Sequence, residues 1–198
     1  MNRFYDFSNN DNDDISKAVK NAYRQMCELF VMLSEKFEFS KHIGEGDIDF
    51  EDMFKADVFD YLAYLAASDG VLSLADVTFI NEVLGLKFNP GILDRKIKDR
   101  NIYSKEFENS VPMSFKLMIA IDNVIDNMDD KPDNMVCDGY KFMLVLLTKH
   151  LIAKNGRSMD DAMPTEKENI VIYFSTLQDY MDTHLERYNM DLVVNYKK

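Results

Sequence analysis

A chain of 198 residues with 35 acidic against 23 basic side chains carries a formal net charge of −12. That balance argues against binding nucleic acid through its phosphates, which needs the opposite sign, and it suits divalent cations, basic proteins or mimicry of a nucleic acid. Hydrophobic residues make up 46% and aromatics 12%, a globular composition, and a chain this long buries roughly 70% of its unfolded surface without a disulfide or metal staple.

Seven glycines and four prolines leave few breaks, so long helices are expected in place of many short strands. Cys27 and Cys137 have no CxxC or zinc spacing and read as free thiols of a reducing compartment. The N-terminal stretch has no apolar run of the signal-peptide kind. The most apolar stretch, 140–153, is too short to span a bilayer and contains Lys141, Lys149 and His150. The expectation is a cytoplasmic protein with no membrane segment.

In chain order, a first helix starts after Asp13 or Asp14 and runs to about Phe39. Its apolar stripe is Val19, Ala22, Met26, Leu29, Phe30 and Leu33, with Ile15 and Phe37 at the ends. A second helix covers about 48–68, apolar on most sides and therefore central. Ser73 caps a third, ending near Gly85, with Val77, Ile80 and Leu84 on one side. A short fourth lies in the only strongly basic stretch, which contains Lys87, Arg95, Lys96, Lys98 and Arg100. Pro112 suits the first turn of a fifth, about 111–130, which buries Leu117, Met118, Ile121, Val124, Ile125 and Met128. A sixth spans about 135–154 and a seventh about 165–188, turning Tyr173, Leu177, Tyr180 and Met181 inward, with Tyr188 at an edge open to a partner. The fold class is all-α with about seven helices. Residues 1–47 form an acidic leader and N-terminal helix, and 48–198 a helical domain that makes one compact unit with it.

Residues 65–76, LAASDGVLSLAD, have the length and the central glycine of an EF-hand loop. Leu65 and Ala67 nevertheless fall where ligands are needed. LIAKNG, 151–156, repeats LAASDG, 65–70, without a gap, and a capped helix follows each: Ser73 with Asp76, then Thr165 with Glu168 after a connection six residues longer. Two pseudo-repeated halves follow, each built on a helix, an Asp/Asn-Gly turn that exits through a left-handed conformation, and a second helix.

The run Ala66, Ala67, Ser68, Asp69, Gly70, Val71, Leu72, Ser73 and Asp76, repeated loosely in the second half, resembles the tellurite-resistance TerB-like family over about 50–188. The resemblance implies an all-helical bundle of two halves acting in stress response. It also implies weak Ca²⁺ or Mg²⁺ binding through acidic residues, here Asp69, Asp76 and Glu168. The family's glutamate after the turn is Asp76 in this chain, and Asn155 replaces the second aspartate.

A second acidic cluster, Asp122, Asp126 and Asp129, falls on one face of the fifth helix and continues into Asp130, outward-facing by pattern. Held together, such carboxylates would take Ca²⁺ or Mg²⁺. Asp129, Asp130 and Asp133 spell DDxxD, but Pro132 breaks the helix inside the motif and excludes a prenyl-chain enzyme. His42, His150 and His184 are isolated, with His150 expected as a hydrogen-bonded core residue. No nucleophile elbow, phosphate loop or dinucleotide fingerprint occurs, so no enzyme and no required cofactor is expected. The thirteen methionines, Met26 and Met32 among them, can fill a core or make an adaptable binding groove. The reading is a non-enzymatic binding module for a protein partner or a divalent cation. The alternative is a small acidic inhibitor or immunity-type protein that masks a basic active site or nucleic-acid-binding surface.

Overall fold

The computed structural model describes residues 12–39, 49–68, 70–127 and 135–185, with side chains from Lys17 onward. It is all-helical there: α1 (Asn12–Lys36), α2 (Phe50–Ala66), α3 (Leu74–Leu84), α4 (Pro90–Asp99), α5 (Lys105–Glu108), α6 (Met113–Asp126), α7 (Val136–Lys154) and α8 (Pro164–His184). Seven of these are the expected helices. The single turn α5, capped by Ser104, is an addition that four residues could not announce by periodicity.

α2 is the axis of the bundle. It packs on α1, α3, α4, α6, α7 and α8, which is why FDYLAYLAA is apolar on nearly every side. An aromatic chain runs through the core from Phe30 of α1 to Phe54 of α2 (ring centroids 5.6 Å apart) and on to Tyr140 of α7 (5.8 Å). Each buried ring contributes roughly 1.5–3 kcal/mol from area alone. α1 joins this core through its contacts with α2 and α7.

Three apolar positions differ from the expected pattern. Leu29 is exposed, because the register of α1 turns Phe30 and Leu33 inward and carries Leu29 round with Met32. Val124 is likewise exposed near the end of α6, and Tyr180 is only half-buried, stacked on His184 at 3.9 Å. Pro112 is the N-cap of α6 and lies outside its first turn, with ψ at 142°. Met128 and Tyr188 lie outside the described residues.

Gly70 and Gly156 both have positive φ, 79° and 73°. Gly70 N donates to Ala67 O at 3.0 Å and Gly156 N to Ala153 O at 2.9 Å, so the aligned turns share one hydrogen bond as well as one dihedral. α3 packs on α7 and α8 packs on α2, each second helix leaning on the first helix of the other half. The second capping box differs from expectation. Pro164 occupies the first helical position, and Met163 N donates to Glu166 Oε2 at 2.7 Å. Proline presets the helical φ two residues earlier than a Thr165 cap would allow. Glu166, not Glu168, is thus the counterpart of Asp76.

Candidate functional site

Two of the carboxylates singled out by pattern, Asp76 and Asp122, hold the fold together. Asp76 is 3% exposed. Its Oδ2 accepts from Ser73 N at 3.0 Å, closing the capping box, and its Oδ1 accepts from Asn155 Nδ2 at 2.7 Å. Ser73 Oγ in turn donates to Asn155 Oδ1 at 2.9 Å. The two repeated turns therefore bond to each other. Glu166, also buried, is gripped by both terminal nitrogens of Arg157 at 2.7 Å, a bidentate geometry stronger than a single charged hydrogen bond.

Asp122 is a correction to the outward acidic face: it is 5% exposed. The N-cap of α7 is Met135, whose side chain cannot cap. Asp122 reaches across from α6 instead and accepts from Val136 N at 2.7 Å and Cys137 N at 2.9 Å. α6 is served the same way, since Pro112 offers no capping side chain and Asp57 of α2 accepts from Ser114 N at 2.8 Å. Burial raises the carboxyls of both Asp57 and Asp122, partly offset by these amide donors. Asp60 forms a two-pronged pair with Arg100 at the end of α4.

Asp126 is partly exposed beyond Asp122, Glu168 is exposed, and Asp69, Asp129 and Asp130 lie outside the described residues. Asp76 and Asp122 already have both oxygens engaged. Among the described residues no three His, Cys, Asp or Glu side chains come together as a metal-holding group. His150 is buried against Phe79 (5.5 Å between rings), as expected of a core residue, and its Nε2 has no hydrogen-bond partner among the described residues. No described helix is long and apolar enough to cross a membrane.

One groove open to solvent, of about 450 Å³, lies between α1 and α2. Tyr23, Cys27, Val31 and Met32 form its floor, and Glu28, Glu35 and Glu51 stand around it with Arg24. Arg24 is paired with Glu28 at 3.5 Å, so the unneutralised charge is negative. Burial first, then Glu51 and Glu28, push the Cys27 thiol up to about 11. The thiol stays protonated at neutral pH, unsuited to nucleophilic or metal chemistry. Met32 is 55% exposed.

Tyr23, Cys27 and Val31 recur at four-residue steps along α1, with Met32 next to Val31. From Tyr23 to Glu35 α1 rises about 18 Å, roughly three helical turns. The methionine was visible in the sequence. The groove was not, because Glu51 comes from another helix.

No family model, no curated protein and no solved structure matches this chain, so the TerB-like resemblance rests on the turn residues themselves.

Proposed function

We propose that this chain is a non-enzymatic acidic helical module that binds a basic, apolar-faced segment of a partner protein along the α1–α2 groove. The observation that carries the reading is an apolar floor, with Met32 turned to solvent, ringed by three glutamates. An unbranched thioether adapts to varied apolar side chains, and an amphipathic helix laid in a groove presents its anchors at three- and four-residue steps. Lysines flanking those anchors would meet Glu28, Glu35 and Glu51. A role in masking a basic surface draws on the same chemistry at this groove. It gains nothing from Asp122, whose carboxylate is interior.

The chain contains no tryptophan, so a lysine-rich amphipathic peptide with one tryptophan reports binding without background. Titration with the full chain is expected to blue-shift the peptide's emission, and added salt to weaken the effect. Glu28→Lys with Glu35→Lys should abolish it, and Met32→Asp should weaken it. Equal binding of a glutamate-rich peptide with the same apolar face, or indifference to these substitutions, would refute the reading.

A further inference from the structure

Asp57 and Asp60 of α2 open onto a cavity of about 140 Å³ that shares no residue with the α1–α2 groove. Phe107, Val111 and Met113 line it together with Tyr173 of α8, and no lysine, arginine or histidine is in the lining. Asp60 is neutralised by its two-pronged pair with Arg100, so the charge left to the cavity is that of Asp57. Asp57 Oδ2 accepts from Ser114 N at 2.8 Å, an uncharged donor. Burial first, and then Asp60, raise the Asp57 carboxyl, with Ser114 and Arg100 opposing. A carboxylate in so poorly solvated a place, with no cation of its own, favours a cationic guest.

The protein beside Asp57 is polar and incompletely bonded. Ser114 and Tyr140 are fully buried, and neither hydroxyl has a hydrogen-bond partner among the described residues. Both lie against the cavity's polar wall: Ser114 through its amide bond to Asp57, and Tyr140 within electrostatic reach of Asp57 and Tyr173. Buried hydroxyls without partners are few in folded proteins, and they point to a polar group held beside them.

We infer that this cavity binds a small alkylammonium group, its N–H donors directed at Asp57 and its alkyl body against Phe107, Val111 and Met113. A hard metal cation would need about six oxygen ligands, and no metal-holding group of three side chains occurs among the described residues. Aromatic side chains such as Phe107 and Tyr173 suit an organic cation instead. The volume admits a short alkyl chain and excludes a drug-sized ligand, which needs about 300 Å³ or more.

Butylammonium chloride, titrated into the isotope-labelled full chain at constant ionic strength, tests this by nuclear magnetic resonance. Saturable shifts are expected at the amides of Val111, Ser114 and Tyr173, half-complete at about 1 mM or below. Butanol and butyrate, of the same chain length, should bind about tenfold more weakly or not at all. Asp57→Asn keeps an oxygen for Ser114 N and should lose butylammonium binding with an unchanged helical circular-dichroism spectrum. Val111→Phe, which fills the cavity and leaves Asp57 in place, should abolish binding too and serves should the first variant fail to fold. Glu28→Lys with Glu35→Lys disables the α1–α2 groove and should leave butylammonium binding intact, so the two readings fail separately. Tighter binding of butylammonium than of Nα-acetyl-lysinamide identifies a free amine as the guest, and the reverse order a lysine side chain. No saturable shift, equal binding of butanol, binding that survives Asp57→Asn or Val111→Phe, or binding lost in the Glu28 and Glu35 variant would each overturn the inference.

Discussion

Asn155 and Asp76, 79 residues apart in sequence, meet at 2.7 Å with the amide nitrogen donating to the carboxylate. The contact gives a physical reason for asparagine in the second turn. An aspartate there would set one carboxylate against another, and it could not donate. Asn155→Asp is expected to destabilise the protein by about 2 kcal/mol at pH 7, combining a lost hydrogen bond with like-charge repulsion. Asn155→Ala should cost about 1 kcal/mol. Urea unfolding midpoints distinguish the two, and an Asn155→Asp variant as stable as its parent would show that the turns are not coupled here.

At Gly70 and Gly156 a Cβ would have no atom within 4 Å, so alanine meets no steric clash and only the positive φ opposes it. Each substitution should cost about 1 kcal/mol, and thermal melts should show similar losses for both. A silent Gly70→Ala beside a costly Gly156→Ala would mean that the two turns are not equivalent.

Asp122→Ala strips the acceptors from two amides at the start of α7 and is expected to cost about 1–3 kcal/mol. Asp122→Asn keeps one acceptor oxygen and should cost less. Hydrogen exchange at Val136 and Cys137 should accelerate in both variants, most in the alanine. Because burial holds the Asp122 carboxyl above the ordinary carboxylate range, the folded state binds its proton more tightly than the unfolded chain. This group's contribution therefore shrinks as pH rises through that raised value. Asp122→Asn should lack that component.

His150 shows the opposite dependence. Burial first, and then Lys154, lower its affinity for a proton, with Glu82 opposing. Below about pH 6.5 the unfolded chain gains a proton that the folded state does not, so stability falls as pH drops from there toward the lowered folded value. Melting curves between about pH 7.5 and about pH 5 should show this decline, and it should be shallower in His150→Gln. Equal slopes would assign the acid sensitivity to other groups.

Local signals in the sequence determined the helices. Ser73 and Gly85 bracket α3 as capping chemistry dictates, Asn89 and Pro90 start α4, and the repeated Asp/Asn-Gly turn carries the same left-handed glycine in both halves. These are interactions within a few residues, which a pattern can reveal. The work of the carboxylates was decided by tertiary structure. Asp57 and Asp122 sit mid-helix, where periodicity reads a polar residue as outward-facing. They are drawn inward because Pro112 and Met135 leave the amides of α6 and α7 without a cap of their own. Each of these acids satisfies amides that would otherwise be left without a partner, and only the packing of distant helices brings the two together. The α1–α2 groove and the Asp57 cavity have the same origin: Glu51 joins Tyr23, Cys27 and Val31 of α1, and Tyr173 lines one cavity with Asp57, through helix placement that no single segment encodes.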